Sequence, residues 1–249
     1  PPRSTHCISS AASDVYKRQK IMSFQQILGQ RQAIEILQRE IADSSVSGAY
    51  LFIGPDGVGK TLTALTFAKA LNCKKEGMDS CDNCSSCRKI DHLNHPDVHI
   101  VRAEEDSIKI EQIRRLKREI GYKIYEGKKK VWIIQEADKL TLEASNSLLK
   151  ILEEPPSDSV LILISQSQEK LLPTILSRCK IIRFLPISSE EIKKLISAYL
   201  PPSSPNLPLI AKLARGRVGE ALRLVKEETV LKERAVSYTH LTLPTICSV

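Results

Sequence analysis

Hydrophobic and polar positions follow two alternating patterns along this chain. In segments 33–41, 62–71 and 110–120, apolar residues recur every three or four positions, which predicts amphipathic helices. Short apolar runs lie between and after these segments, and such runs predict buried strands. The runs are "AYLFI" at 49–53, "VWII" at 131–134, "VLILI" at 160–164 and "KIIRF" at 180–184.

This alternation predicts an α/β domain over residues 22–185. Strands that are apolar throughout are typical of a parallel sheet that helices cover on both faces. A further helix is predicted at 141–153, and "EEPP" ends it because proline cannot continue a helix.

The pattern changes after Pro186, where only helical periodicity remains. The stretch "ISSEEIKKLISAYL" has serine caps and acidic residues in its first turn, and "PPSSP" at 201–205 breaks it. Two more helical stretches follow, near 207–214 and 219–234. We therefore predict a small all-helical domain over residues 186–236.

The two ends of the chain show neither periodicity nor helix caps. Residues 1–21 and 237–249 resemble translated adapter sequence, so we expect both to be non-native flanks and Met22 to be the true start.

The stretch "GPDGVGKT" at 54–61 follows a predicted strand and precedes a predicted helix. Its glycines let the backbone wrap an anion, its lysine faces the phosphates and its threonine hydroxyl suits magnesium, so ATP with Mg²⁺ is the expected ligand. The alternatives are a glycine-rich turn and a phosphate site that is no longer used. The predicted nucleotide-binding residues in this stretch are Gly54, Gly57, Gly59, Lys60 and Thr61.

Hydrolysis needs acidic residues after the strand "VWII", one to hold magnesium and a second to polarise water. Gln135 occupies the first of these positions, and a neutral amide is a poor ligand for a divalent cation. Glu136 occupies the second and is the candidate catalytic acid, whereas Asp138 is expected in a loop or cap. The sequence therefore favours nucleotide binding over turnover.

Four cysteines cluster directly after the predicted phosphate-loop helix. Thiolates at these intervals can surround one tetrahedral structural zinc ion, and the alternatives are four reduced thiols or disulfides. Clustering of this kind favours the reducing cytoplasm. The predicted zinc ligands are Cys73, Cys81, Cys84 and Cys87, in an insertion at about 73–87.

Together with this insertion, "LLKILEEPP" at 148–156 and "TILSRC" at 174–179 make residues 22–236 resemble the clamp-loader branch of the AAA+ ATPases. The resemblance implies a P-loop AAA+ domain with an inserted zinc module, followed by a helical lid. It also implies that Arg178 is an arginine finger acting on a neighbouring subunit's ATP site, although a lone arginine would otherwise indicate a surface salt bridge. Ser165, or Gln166, matches the family's polar sensor beside the γ-phosphate.

Within that family, hydrolysing motor subunits carry the acid pair and an arginine in the lid. This chain has Gln135 in the acid pair and Gly219, within "ARGRVGEAL", at the position of the arginine. The resemblance therefore implies a stationary subunit with little or no ATPase of its own, and the alternative is a motor subunit. The expected partners are other clamp-loader subunits and, through the complex, the sliding clamp and primed DNA. The family's collar domain is expected to be missing.

Composition adds little to this. The chain has 249 residues, of which 42% are hydrophobic and 27% charged, with a formal charge of +8. Basic stretches at 113–123 and 127–130 fit a DNA partner or a solvated surface. A third hypothesis, a zinc-dependent nucleic-acid-binding module, ranks low because the cysteine loop contains no aromatic residue. No apolar run approaches the length of a membrane span.

Overall fold

The computed structural model describes residues 23–197 and 206–227. Contacts divide the chain into two compact units. The first runs up to Gly54 and resumes over Lys60–Phe184, and the second comprises Pro55–Gly59 and the chain from Leu185 onward. The predicted flanks, the "PPSSP" segment and the end of the last predicted helix lie outside the described residues.

The first unit contains five strands and six α-helices among its described residues, with 3-10 turns at Phe24–Gln26 and Ala137–Lys139. In chain order these are α1 (Arg31–Ala42), β1 (Ala49–Ile53), α2 (Lys60–Asn72), α3 (Ser85–Asp91), β2 (Val98–Val101), α4 (Ile110–Ile120), β3 (Lys130–Ile134), α5 (Leu142–Glu153), β4 (Ser159–Ser165), α6 (Pro173–Leu176) and β5 (Lys180–Arg183).

The five strands form one parallel sheet in the order β2-β3-β4-β1-β5. Ile53, the last residue of β1, pairs with Ser165 at the end of β4 and with Arg183 at the end of β5. The carboxyl ends of these strands therefore meet at one edge, where ligands of open α/β sheets bind. The predicted parallel α/β class is confirmed.

Burial explains why the central strands are apolar throughout. Every residue of β1, β3 and β4 is buried, because helices cover both faces of the sheet. On one face α4 and α5 pack their apolar sides over Leu51, Ile134 and Leu163. On the other, Tyr50 makes an edge-to-face contact with Phe67 of α2 at 5.3 Å between ring centroids.

The predicted strands and the predicted helix at 141–153 are confirmed, but β2 was missed. Its sequence, Val-His-Ile-Val, lies at the sheet edge and is mostly half-buried, so no continuous apolar run marks it. Helix α5 begins where Thr141 accepts a hydrogen bond from the Ala144 N–H at 3.2 Å.

The second unit is helical in its described part, with α7 (Ser189–Ile196), α8 (Leu207–Leu213) and a helical run at 218–227. Ser188 caps α7 in a capping box with Glu191, as its sequence predicts. Ile192, Ile210 and Ala221 belong to its small apolar core. No helix among the described residues is long and apolar enough to cross a membrane.

Candidate nucleotide and metal sites

The predicted phosphate-binding lysine lies at the start of α2. Lys60 is buried, and its ammonium donates a hydrogen bond to the Gly54 carbonyl at the end of β1. Thr61 follows in the first turn and is half-buried. A Cβ at Gly54 would lie 2.3 Å from the Phe184 carbonyl oxygen, so only glycine fits between β1 and β5 there. Gly54 and Lys60 therefore lie where β1 ends and α2 begins, which is the context that a phosphate loop needs.

The loop itself, Pro55–Gly59, belongs to the second unit. Gly57 and Gly59 adopt φ angles of 78° and 103°, which L-residues with side chains rarely occupy. The Gly219 N–H donates to the Gly57 carbonyl at 2.8 Å. A Cβ at Gly219 would lie 3.1 Å from the Gly57 Cα, so this close approach leaves little room for a side chain.

The residues after β3 do not form a carboxylate pair. Gln135 Oε1 accepts a hydrogen bond from Arg102 Nε at 3.1 Å. Glu136 has a left-handed backbone, with φ at 53°, and its carboxylate lies 3.2 Å from the Lys139 ammonium. Each side chain is thus engaged with a basic residue close to the sheet.

The Asp138 side chain is more buried than that of a typical surface loop residue. It lies in the 3-10 turn, its side chain is buried, and its Oδ1 is 3.3 Å from Ser165 Oγ. The Ser165 hydroxyl also lies 2.9 Å from the Ser167 carbonyl oxygen. The sheet therefore brings the predicted sensor serine next to an acid that sequence reasoning assigned only to a loop or cap.

The four clustered cysteines come together in space. Their sulfur atoms all lie within 4.8 Å of one another, and all four are free thiols in the structure. A tetrahedral zinc ion with Zn–S distances of about 2.3 Å needs sulfur separations of about 3.8 Å, so a small contraction would enclose the ion. Four sulfur ligands leave no coordination position for a substrate, so such a site is structural.

The local backbone favours the thiolate form of one of these cysteines. Cys84 caps α3, where its sulfur accepts a hydrogen bond from the Cys87 N–H at 3.4 Å. Burial by itself would raise the pKa of Cys84, but the N–H groups of Lys74 and Cys87 lower it to about 6. Since metals bind the thiolate, this donor set fits a zinc ion.

A buried ion cluster joins the cysteine module, residues 73–91, to α2. Lys69 is 0% exposed, and its ammonium lies 2.6 Å from Asp82 and 2.7 Å from Asp91. Burial alone would lower the pKa of Lys69, but the two carboxylates outweigh it and raise the pKa. Sequence reasoning missed this lysine, although its place among the apolar residues of α2 was a signal.

Two buried polar side chains hold the basic segment before β3. The Asp97 carboxylate accepts hydrogen bonds from the N–H groups of residues 125, 126 and 127 at 2.7–2.8 Å. Asn72 at the end of α2 accepts from the N–H groups of Lys128 and Lys129 at 2.8 and 3.0 Å. This part of the basic stretch is therefore held in place by its backbone.

The predicted arginine finger lies in the Arg178 loop, residues 177–179, between α6 and β5. Arg178 Nη2 donates to Glu153 Oε1 at 2.7 Å, and Nη1 donates to the Thr174 carbonyl at 3.0 Å. The side chain is 33% exposed. The surface salt bridge expected of a lone arginine is thus present, with a partner that the sequence did not indicate.

Comparison with known proteins places this fold and these motifs in one family. The family model described as "DNA polymerase III, delta subunit" matches residues 29–188. The chain belongs to this family.

Subunits of DNA polymerase III match most of the chain. The DNA polymerase III subunit delta' of Bacillus subtilis is 37% identical over 207 residues, which are 83% of this chain and 62% of that protein. The subunit tau of the same organism is 33% identical over 219 residues, 86% of this chain and 39% of its own length. The chain thus spans less than two thirds of the length of either relative.

Solved structures agree on the fold. The RuvB Holliday junction branch migration motor of Thermotoga maritima matches with a TM-score of 0.58 and 19% identity, over 87% of this chain and 68% of that one. A gamma subunit-related DNA polymerase III protein of the same organism matches with a TM-score of 0.52 and 23% identity, over 78% and 57%. The predicted AAA+ fold and the resemblance to clamp-loader proteins are confirmed.

A separate cavity of about 620 Å³ lies along the edge strand β2. It is lined by β2, the loops on either side of β2, α4, the end of α3 and Trp132, and by none of the predicted site residues.

Proposed function

We propose that this chain acts as a delta-prime subunit of a DNA polymerase III clamp loader. It retains a nucleotide-binding loop, hydrolyses ATP poorly or not at all, and supplies Arg178 to the ATP site of a neighbouring subunit. The observation that carries this proposal is the identity of residue 135, a glutamine, and the hydrogen bond that its side chain makes. An amide replaces the magnesium-binding carboxylate, and its oxygen already accepts a hydrogen bond from Arg102 at 3.1 Å.

The helical unit supports the same conclusion. The lid position at which a motor subunit would carry an arginine is Gly219, and its close approach to Gly57 restricts any side chain there. Glycine supplies no positive charge to a nucleotide. A chain without the first acid and without the lid cation therefore lacks two of the charges on which hydrolysis depends.

Arg178 is the charged residue through which the chain contributes to hydrolysis, at the ATP site of its neighbour. An arginine supplied in trans stabilises the charge that develops on the transferring phosphoryl group, and such residues are worth roughly 10³–10⁵ in rate. Its guanidinium is partly exposed, as a group that meets another subunit must be. Its salt bridge with Glu153 is compatible with this role, because exposed pairs are worth at most about 1 kcal/mol.

The proposal also names the other ligands and partners. Zinc is the metal of the cysteine module, and ATP with Mg²⁺ is the ligand of the phosphate loop, with Ser165 near its γ-phosphate. The partners are the other clamp-loader subunits and, through them, the sliding clamp and primed DNA in the cytoplasm.

Arg178→Ala tests the proposal in the reconstituted clamp loader. We expect clamp- and DNA-stimulated ATPase of the complex to fall by on the order of 10²-fold or more, while subunit assembly measured by gel filtration is unchanged. Arg39→Ala removes an exposed arginine that also pairs with a glutamate, Glu35, so it is the matched control and should have no effect on turnover. Full ATPase activity in the Arg178→Ala complex would reject the role.

A second candidate function is a self-contained motor ATPase. The complete phosphate loop and the 33% identity to subunit tau favour it. Steady DNA-stimulated hydrolysis by the isolated chain, lost on Lys60→Ala, would establish this function. We expect instead that the isolated chain hydrolyses little ATP.

A further inference from the structure

The chain holds Arg178 in one orientation through three acceptors of its own. Glu153 Oε1 accepts from Nη2 at 2.7 Å, the Thr174 carbonyl accepts from Nη1 at 3.0 Å, and Ser177 Oγ lies 3.4 Å from Nη1. Two of these acceptors come from α6 and the residue that follows it, and the third comes from the end of α5. The guanidinium is therefore fixed between two elements.

Glu153 stands where the helix alone would disfavour it. It is the last residue of α5, and a carboxylate is unfavourable near the negative end of a helix dipole. The proline pair that follows ends the helix at this point and leaves the side chain beside the Arg178 loop. The ion pair with the Arg178 guanidinium offsets the unfavourable interaction between the Glu153 carboxylate and the helix dipole.

We infer that Glu153 is a positioning residue for the arginine finger. This inference rests on the proposed function. Among the described residues, the hydrogen bonds of Arg178 use only its two terminal nitrogens, which leaves the Nε–H and one N–H of Nη2. The guanidinium therefore keeps N–H donors for a phosphate while it is held by Glu153. Glu153 thus orients the finger and leaves part of its N–H donors unused.

An oriented arginine loses less side-chain freedom when it meets the neighbouring ATP site. Arginine carries many rotamers, so a finger that is already held reaches the transition state with fewer conformations to lose. The consequence is kinetic: Glu153 raises kcat of the complex and leaves the KM for ATP unchanged, since it touches no nucleotide.

Two substitutions and one control test the inference. Glu153→Ala removes the acceptor, Glu153→Gln keeps an oxygen but removes the charge, and Glu154→Ala removes the same charge from the next, exposed position. In the reconstituted complex we expect Glu153→Ala to lower kcat by on the order of threefold to tenfold at constant KM. Glu153→Gln should lie between Glu153→Ala and the unaltered chain, and Glu154→Ala should match the unaltered chain.

A second measurement needs no partner. In the isolated full chain, ¹⁵N relaxation of the Arg178 side chain should show a restricted guanidinium that becomes mobile in Glu153→Ala and stays restricted in Glu154→Ala. An unchanged or increased kcat in Glu153→Ala, or a guanidinium that stays equally restricted, would overturn the inference. If Arg178→Ala itself leaves ATPase intact, the proposed function fails as well, whereas a defect confined to Arg178→Ala removes only the role of Glu153.

Discussion

Two ion pairs of similar length have opposite settings in this molecule. Where α2 meets the cysteine module, Lys69 is completely buried, with its ammonium 2.6 Å from Asp82 and 2.7 Å from Asp91. At the Arg178 loop, Arg178 meets Glu153 at 2.7 Å, with side chains 33% and 50% exposed. The distances are nearly equal, but the solvent around the charges is not.

The difference shows that burial, and not distance, separates a structural charge from an available one. Removing one partner of a buried ion pair leaves an uncompensated charge with little access to water. This lowers the free energy of unfolding by about 3–5 kcal/mol. When one partner of an exposed ion pair is removed, water solvates the other. The loss in the free energy of unfolding is then only about 0.2–1 kcal/mol. Lys69 therefore locks the cysteine module to α2, whereas Arg178 stays accessible from solvent.

The largest effect should come from removing the metal of the cysteine module. We expect the purified chain to contain about one zinc ion and Cys84→Ser to contain none, because three sulfur ligands hold zinc poorly. Since such a site contributes on the order of 10 kcal/mol to local folding, a strong chelator should expose residues 73–91 to hydrogen exchange. Cys179→Ser, a thiol outside the cluster, should keep its metal when measured by mass spectrometry.

Replacing the buried lysine should cost less, but still more than any surface change. Lys69→Met should lower the free energy of unfolding by about 3–5 kcal/mol, because Asp82 and Asp91 lose their cation. Denaturant titration followed by the fluorescence of Trp132, the single tryptophan, measures this. The control is Lys129→Met, whose partly exposed ion pair with Asp158 should contribute under about 1 kcal/mol. Equal losses in both variants would contradict the role of burial.

Asp97 is a buried carboxylate that backbone N–H groups stabilise in place of a salt bridge. Burial would raise its pKa, but three backbone N–H groups outweigh this and lower it. Its contribution to stability is therefore full above about pH 4, the ordinary value for the unfolded chain, and is lost as pH falls toward the lower folded pKa.

Asp97→Asn should accordingly cost about 2–3 kcal/mol at pH 7 and flatten the acid limb of the stability curve. Unfolding titrations between pH 7 and pH 3 measure both effects. A variant that keeps the acid slope of the unaltered chain would show that Asp97 is not its source.

The smallest effect on stability is expected for the exposed ion pair between Arg178 and Glu153. Glu153→Gln should change the free energy of unfolding by less than about 1 kcal/mol, and added salt should reduce the difference further. The same denaturant titration, at low and high salt, measures this. A loss as large as that of Lys69→Met would show that the Arg178 loop is a structural lock as well.

Much of the fold and part of the site could be predicted from local pattern. The apolar runs of β1, β3, β4 and β5 and the end of α5 at its prolines were correct because strong burial and missing N–H groups act within a few residues. The edge strand β2 was missed because half-buried residues carry no such run. The buried setting of Asp138 beside Ser165 was also missed, because it depends on the pairing of distant strands. The roles of the site residues in ATP and zinc binding remain predictions.

The sequence by itself was enough to predict the parallel sheet, the glycine-rich turn after β1 and the clustering of the four cysteines. Each of these depends on neighbouring residues and on their spacing along the chain. Only the tertiary structure decided which charges are buried, since Lys69 meets its two aspartates and Arg178 meets Glu153 across long stretches of sequence. Burial depends on everything that packs around a side chain. For that reason Lys69 and Lys129 are expected to differ by several kcal/mol in their contributions to the free energy of unfolding.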